Sequence, residues 1–244
     1  MSNLNIIWSC NKQYISLSTS ISIMQSKKTQ PLGLKFKASS PIVISGPTGA
    51  GKTVWTHKLL SNNMFSEKPA SVVYCYGAYQ KVFDTFHQDI PNIQFHSGLP
   101  TSEFIEGMKD GNFHVLVLDD LMEEVVHGGI EVMNLFTRLC HHYNITAIFV
   151  TQNIFAQGKY ARSIALNTHY LVLFENKRDE SQMLHLARQV TPHDTKYFLE
   201  SYADAVSSLH GYLLVDCEPT SNKDLQLRTS IFPTEVMTVY LKRN

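Results

Sequence analysis

Apolar and polar positions alternate along the chain in blocks, with short uninterrupted apolar runs separated by longer mixed segments. Five such runs are rich in β-branched and aromatic residues, the composition that strands favour. A strand buried on both faces has no polar side, so it appears in a sequence as a continuous apolar run. The pattern therefore predicts five buried strands of a parallel sheet, at 41–45, 71–76, 114–119, 145–150 and 169–174.

The segments between these runs carry helical patterns. "GKTVWTHKLLS" follows the first run, "AYQKVFDTF" follows the second, and "TSEFIEGMKDG" precedes the third. In "IEVMNLFTRLCHHYN" the apolar residues are spaced to make one helix face. Strands that alternate with helices predict an α/β fold with a doubly wound core.

The two ends of the chain depart from this alternation. Residues 1–30 are serine-rich and polar residues interrupt their apolar stretches, so we expect a poorly ordered N-terminal arm and one domain over 31–244. Towards the C-terminus, "HGYLLVD" and "LQLRTSIF" are predicted to pair as a small antiparallel β appendage. No apolar run approaches the roughly 18 residues that a membrane-spanning helix needs, so we expect no membrane partner.

Length and charge narrow the class of protein. A chain of 244 residues suits one large α/β domain. Its 21 basic and 21 acidic residues cancel, so composition gives no support for nucleic-acid binding. The four cysteines are scattered without a Cys-x-x-Cys pair, which favours a reducing, intracellular compartment over a disulfide framework or a zinc site.

The first predicted strand leads directly into a phosphate-binding motif. The octapeptide "GPTGAGKT" matches Gly-x-x-x-x-Gly-Lys-[Ser/Thr] at every fixed position. Glycines let the backbone aim its N–H groups at phosphate oxygens, and the N-terminus of the next helix adds positive partial charge. We expect Lys52 to reach the β- and γ-phosphates of ATP and the Thr53 hydroxyl to hold Mg²⁺. The predicted nucleotide-binding residues are Gly46, Pro47, Thr48, Gly49, Ala50, Gly51, Lys52 and Thr53.

Polar residues end two of the later strands. "VLVLDDL" is a buried strand that ends in two acids, the Walker B pattern. Asp119 is predicted to bind Mg²⁺ through water, and Asp120 to orient or deprotonate the attacking water. "IFVTQN" ends in Thr151 and Gln152, and Gln152 is a candidate for sensing the γ-phosphate or that water. Positioning and charge stabilisation of this kind are most of what phosphoryl transfer requires of a protein.

The tetrapeptide "NKRD" at 176–179 fits Asn-Lys-x-Asp, the guanine-reading motif of GTPases. A GTPase would also have Asp-x-x-Gly after its Walker B strand, whereas Leu121, Met122 and Glu123 follow the acids here. The second acid and the Gln152 strand end are typical of ATPases. These features favour an ATPase and leave a GTPase-like nucleotide switch as the alternative.

Longer stretches resemble one superfamily. "RLCHHYNITAIFVTQN" is similar to the FtsK/HerA-type DNA-pumping ATPases, in which an Arg-Leu helix runs into a strand ending in Thr-Gln. "RSIALNTHYLVLF" and "NKRDES" continue the likeness, which covers roughly residues 41–190. Together with "VVYCYGAYQ", "FHSGLP", "TQNIFAQGK" and "HGYLLVD", these segments resemble most closely the genome-packaging ATPases of Polinton/adintovirus-type DNA viruses.

This resemblance implies a fold and a function. The fold is a RecA-like ASCE P-loop core with strand order 5-1-4-3-2. The function is ATP hydrolysis in a homo-oligomeric ring, a hexamer, that drives double-stranded DNA into a capsid, with capsid proteins as partners. The location is the host nucleus or a cytoplasmic viral factory. Asp120 departs from the superfamily, which usually has Glu there. An alternative is a degenerate copy that binds ATP as a structural protein.

A ring of this kind implies residues that act between subunits. An arginine from the neighbouring subunit completes the site in such ATPases, and the candidates are Arg162 and Arg178, with Arg138 as a third. DNA contact is expected from the glycine-containing loops 122–129 and 155–163, where Lys159 could meet phosphate. One basic residue in each subunit, repeated around a ring, supplies several phosphate contacts without a basic composition.

Overall fold

The computed structural model describes residues 4–8, 14–15, 34–121, 123–125, 134, 138–154, 164, 166–178 and 180–242. Its strands are β1 (Leu4–Trp8), β2 (Tyr14–Ile15), β3 (Ile42–Ser45), β4 (Ser71–Tyr76), β5 (Ile93–Ser97), β6 (His114–Asp119), β7 (Ile145–Thr151), β8 (Tyr170–Phe174), β9 (Tyr212–Asp216), β10 (Leu227–Thr229) and β11 (Met237–Leu241). Its α-helices are α1 (Lys52–Ser61), α2 (Phe86–Asp89), α3 (Ser102–Gly107), α4 (Cys140–His142), α5 (Glu180–Val190) and α6 (Thr195–Ala205). Short 3₁₀ helices span Lys81–Thr85 and Lys223–Leu225.

All of these strands belong to one sheet, in the order β2-β1-β11-β10-β9-β8-β3-β7-β6-β4-β5. The five predicted strands are β3, β4, β6, β7 and β8. They are neighbours in the predicted order 5-1-4-3-2 and run parallel. The α/β P-loop fold class is therefore confirmed. One further parallel strand, β5, pairs with β4 at the edge and was not predicted.

The C-terminal strands form the predicted antiparallel pair and also join the central sheet. β9 and β10 do pair antiparallel, but β9 also pairs antiparallel with β8, so these strands extend the central sheet. The predicted antiparallel pairing of these two segments is therefore confirmed. The sheet continues through β11 to β1, which lies within the expected N-terminal arm and pairs with β11 in parallel.

Successive side chains of the buried strands lie on opposite faces of the sheet, so they pack into two core layers. Ile44, Val117 and Val172 lie on the face that α1 covers with Trp55 and Leu59. The opposite face is packed by α5 and α6, with the following strand and helix residues in contact there: Val43, Leu116, Phe149, Leu171, Met183, Leu186 and Phe198. Burial on both faces is the physical reason that these strands carry continuous apolar runs.

The helices between strands differ in length from the prediction. The segment predicted as a helix at 78–86 forms the 3₁₀ helix Lys81–Thr85 followed by the four-residue α2. The helix predicted at 101–111 ends earlier, at Gly107. In the described part of the chain, every helix falls short of the length and apolarity that crossing a bilayer requires.

Candidate nucleotide site

The predicted phosphate-binding loop, residues 46–53, joins the end of β3 to the start of α1. Gly49 and Gly51 have φ angles of 81° and 105°, in the left-handed region that residues with a Cβ rarely adopt. Gly51 is the N-cap residue of α1, so the first turn of the helix opens directly onto the loop. This is the geometry in which backbone N–H groups and the helix N-terminus converge on one anion.

Gly46 is required for a different reason, which is lack of space. Its N–H donates a 3.2 Å hydrogen bond to the carbonyl of Thr151 on β7. On the other side, a Cβ added at Gly46 would lie 2.6 Å from the Cβ of Phe174 on β8. The loop therefore leaves the sheet through a gap between two neighbouring strands that only glycine fits.

Lys52 is folded back over this loop. Its Nζ donates to the carbonyl oxygens of Gly46 at 2.6 Å and Pro47 at 3.0 Å. Burial lowers the pKa of Lys52, and the nearby carboxylates of Asp119 and Asp120 act against that shift. The ammonium group thus lies between the loop and two acids, where phosphate oxygens can replace its carbonyl partners.

Asp119 ends β6 in a buried position, with 4% of its surface exposed. The Tyr74 hydroxyl on β4 donates a 2.6 Å hydrogen bond to Asp119 Oδ2. Burial raises the pKa of Asp119, and the hydrogen bond from Tyr74 and the charge of Lys52 oppose that rise. Burial, followed by the charge of Asp119, raises the pKa of Tyr74 well above its ordinary value, so the phenol stays protonated and donates.

Asp120 is exposed and points away from the core. Its φ angle is 56°, and Gln152 Nε2 donates to its Oδ1 at 3.4 Å. The backbone around it fits tightly: Gly77 N–H donates to Asp119 O at 3.0 Å, and a Cβ at Gly77 would lie 2.4 Å from Asp120 O. The structure therefore brings together the two residues predicted to handle the attacking water.

Thr53, on the first turn of α1, donates from its Oγ1 to Gln80 Oε1 at 3.5 Å. Gln80 follows β4 in the sequence and was not among the predicted site residues. A threonine hydroxyl and a buried carboxylate are oxygen donors of the kind that Mg²⁺ prefers. Asp119 is also a buried acid for which a cation would be a favourable neighbour. Thr53 and Asp119 therefore fit a bound Mg²⁺.

Most of these groups line one cavity of about 820 Å³, which we call the P-loop cavity. The predicted residues that line it are Thr48, Gly49, Gly51, Lys52, Thr53, Asp119, Asp120 and Gln152. Its far wall comes from the C-terminal third of the chain, including Tyr212, Phe232, Glu235 and Tyr240. Sequence reasoning did not assign these residues to the site, because long-range contacts bring this wall to the phosphate-binding loop.

The turn before β9 reaches over to the phosphate-binding loop. His210 has a φ angle of 59°, and its Nδ1 lies 3.1 Å from the carbonyl oxygen of Ala50. Gly211 closes the turn, because a Cβ there would lie 2.4 Å from Ala205 O. The turn thus places one side chain directly against the loop and forms part of the P-loop cavity.

The "NKRD" segment lies on another side of the same loop. Arg178 N–H donates to Asn176 Oδ1 at 3.2 Å, so the asparagine amide closes a local turn after β8. Residues 176–178 and Pro47, Thr48 and Gly49 line a second cavity of about 500 Å³. Arg178 is exposed beside the loop of its own chain.

The other predicted arginines and the two loops expected to contact DNA lie only partly within the described residues. Arg138 lines a separate cavity beside Ile105 and Tyr143. Arg162, Lys159 and Asp179 lie outside the described residues, as does the whole of 155–163. Of the loop 122–129, the structure describes 123–125, where Val125 is buried.

Of the comparisons with known proteins, the one with solved structures gives matches. No protein-family model and no curated protein sequence matches the chain. Among solved structures it is similar to the genome packaging NTPase B204 from Sulfolobus turreted icosahedral virus 2 in complex with AMP, at 11% identity and a TM-score of 0.48, covering 73% of this chain and 92% of that chain. It is also similar to EssC (ATPases 2 and 3) from Geobacillus thermodenitrificans, at 15% identity and a TM-score of 0.51, covering 83% of this chain and 40% of that chain. At these identities, the likeness to EssC shows a shared fold.

Proposed function

We propose that this chain is an ATPase that binds ATP with Mg²⁺ in the P-loop cavity and hydrolyses it to ADP and phosphate. The observation that carries the proposal is the meeting of Lys52, Asp119 and the Asp120–Gln152 pair in one cavity. A phosphate-binding loop, a metal-ligand carboxylate and a base with its partner are the parts that phosphoryl transfer to water needs.

Each residue has a role set by its position. The loop N–H groups and Lys52 bind the β- and γ-phosphates. Thr53 and Asp119 hold Mg²⁺, which when bound neutralises charge on those phosphates. Asp120 accepts a proton from the attacking water while Gln152 positions it. The water oxygen forms a bond to the γ-phosphorus, the bond to the β–γ bridging oxygen breaks, and ADP leaves with that oxygen.

Two observations favour ATP over GTP as the substrate, one at the "NKRD" segment and one at Asp120. The Asn176 amide oxygen accepts from Arg178 N–H within its own turn, so it is engaged in holding the loop. The second acid and its glutamine partner supply a base in the chain itself. Both observations support an ATPase over a GTPase-like switch.

We further propose that the ATPase works as a subunit of a homo-oligomeric ring, a hexamer, that moves double-stranded DNA into a viral capsid. The support is the sequence resemblance of 41–190 to FtsK/HerA-type pumps and of the longer set of segments to viral genome-packaging ATPases. Capsid proteins are then the expected partners, and the host nucleus or a cytoplasmic viral factory the expected location. Arg162 and Arg178 remain the candidates for the arginine that reaches a neighbour's site.

Phosphate release by the purified full chain tests this proposal. We expect turnover with ATP and Mg²⁺, a large preference over GTP, and stimulation by duplex DNA. Lys52→Ala should lower turnover by roughly 10²–10³-fold, the loss typical of removing one positioned charge-stabilising donor. Lys68→Ala, which removes an exposed lysine elsewhere on the surface, is the matched control and should behave as the wild type.

The outcomes separate the alternatives. Turnover with GTP alone would replace the ATPase by a nucleotide switch, and ATP binding without turnover would indicate a structural protein. Turnover that survives Lys52→Ala would rule out the assignment of the phosphate-binding loop. A strictly monomeric mass in native mass spectrometry, with no stimulation by DNA, would contradict the DNA pump and leave the ATPase standing.

A further inference from the structure

A buried tyrosine touches the proposed metal ligand from a neighbouring strand. Tyr74 and Val117 are register partners on the parallel strands β4 and β6. Asp119 follows Val117 by two residues, so its side chain leaves the sheet on the same face. Tyr74 leans along the strand direction and donates from its hydroxyl to Asp119 Oδ2 at 2.6 Å.

The ring of Tyr74 is held firmly in place. It is fully buried and lies in a cluster of aromatic rings. Its centroid is 5.0 Å from that of Phe83, 5.5 Å from that of Phe95 and 5.7 Å from that of Phe86. A phenol fixed in this way holds its hydroxyl at one point, and that point is the carboxylate.

A metal ligand needs such support. A carboxylate has two oxygens and free rotation about its last bond, so it binds a cation well only when its orientation is fixed. Hydrogen bonds from surrounding residues supply that orientation in metal sites, and losing one typically costs about 10–100-fold in metal affinity. The hydroxyl at Oδ2 leaves Oδ1 as the oxygen for the cation or its water.

We propose that Tyr74 is a positioning residue for the Mg²⁺ site, acting through Asp119. The inference rests on the proposed function, because it assigns to Asp119 the metal that ATP brings. It also predicts that loss of the Tyr74 hydroxyl weakens metal binding but leaves metal-free nucleotide binding unchanged. A purely structural tyrosine would not give this difference.

Mn²⁺ is the probe for this test, because its binding is followed directly by electron paramagnetic resonance. The full chain is saturated with a non-hydrolysable ATP analogue and titrated with Mn²⁺. We expect Tyr74→Phe to weaken Mn²⁺ binding about 10–100-fold. In the presence of EDTA, the same variant should bind the analogue within about twofold of the wild-type affinity, since the loop and Lys52 are untouched.

Tyr76→Phe is the matched control. Tyr76 lies on the same strand and packs against the same Phe83 and Phe95 rings. The hydroxyl that donates to Asp119, however, is that of Tyr74. The control variant should keep both affinities. If Tyr74→Phe fails to fold by circular dichroism, 4-fluorophenylalanine introduced at position 74 fills the volume of the hydroxyl without a donor.

The results distinguish this inference from the proposed function. A wild-type chain that binds neither the analogue nor Mn²⁺ contradicts the ATPase itself. A wild-type chain that binds both, with a Tyr74→Phe or fluorophenylalanine variant of equal Mn²⁺ affinity, overturns the positioning role alone. A variant that loses metal-free nucleotide affinity to the same extent as Mn²⁺ affinity would make Tyr74 a structural residue and also overturn it.

Discussion

Asp120 occupies a backbone conformation that few residues tolerate. Its φ of 56° lies in the left-handed region, where Asp is several-fold enriched over most residues that carry a Cβ. The carbonyl of Asp120 is also pressed against Gly77, which fixes the local path of the chain. The ATPases that the sequence resembles usually have Glu at this position. The strain gives a physical reason for the shorter acid, whose side chain suits this conformation better.

Two substitutions of Asp120 should therefore have different effects, one on turnover and the other on stability. Asp120→Asn keeps a residue that adopts positive φ, so the melting temperature should change little while turnover falls by about 10²–10⁴-fold with the loss of the base. Asp120→Glu keeps the base but should lower the free energy of unfolding by about 1 kcal/mol. Thermal melts and steady-state ATP hydrolysis measure both. A Glu variant as stable as the wild type and equally active would contradict the role given to the backbone.

At the scale of single elements, a charge pair joins the turn after β9 to the segment before β3. Lys37, just before β3, donates from its Nζ to Glu218 Oε1 at 2.6 Å, and Thr220 N–H donates to Glu218 Oε2 at 2.7 Å. Burial would raise the pKa of Glu218, but these hydrogen bonds outweigh it and lower the pKa to about 2. The turn after β9 thus depends on an ionised carboxylate.

Glu218→Gln should show this dependence as a function of pH. A depressed pKa in the folded state stabilises the fold above the unfolded value of 4.5, and the benefit disappears as pH falls towards 2. At pH 7 the variant should lose about 1 kcal/mol of stability, since one partner, Lys37, is exposed. Melting temperatures at pH 7 and pH 3 measure the effect, and the gap between variant and wild type should shrink at pH 3. An equal difference in melting temperature at both pH values would contradict the role given to the ionised Glu218. Glu67→Gln, which changes an exposed glutamate, is the control.

The sequence pattern predicts the core strands well and the edges poorly, for a physical reason. β3, β4, β6, β7 and β8 are buried on both faces, so their apolar runs are unmistakable. β5 lies at the sheet edge with only its first residue fully buried, so its sequence, "IQFHS", is mostly polar. The helix α6 begins at a residue type that a sequence can reveal, because Asp194 caps it by accepting from Tyr197 N–H.

The residues of the candidate site also divide into those that the sequence predicts and those that it does not. Residues in the phosphate-binding loop and at the ends of β6 and β7 belong to local motifs, so their positions follow from the sequence. Tyr74 and the far wall of the P-loop cavity depend on contacts between distant segments. Trp55 and Phe232, for example, pack with their ring centroids 5.5 Å apart although most of the chain separates them. No local pattern records such a contact, so only the folded chain reveals it.

At the scale of the whole molecule, the open question is whether the site is complete within one chain. Arg178 is exposed beside its own phosphate-binding loop, in the second cavity. An arginine that serves a neighbour must be exposed in the single chain. Its position is therefore compatible with a role in either its own site or the next.

Mixing two inactive variants separates these roles. Lys52→Ala lacks the phosphate ligand, and Arg178→Ala lacks the candidate arginine. Suppose that Arg178 acts on a neighbour. A site then has both groups when the Arg178→Ala chain supplies the loop and the adjacent Lys52→Ala chain supplies the arginine. In an equal mixture this arrangement occurs at about one interface in four, so hydrolysis should recover to roughly a quarter of the wild-type level. If Arg178 acts within its own chain, every site in the mixture lacks one group and hydrolysis stays at the level of the separate variants. Subunit exchange, checked by native mass spectrometry, is the control, because a mixture that does not exchange would give the second result for either role.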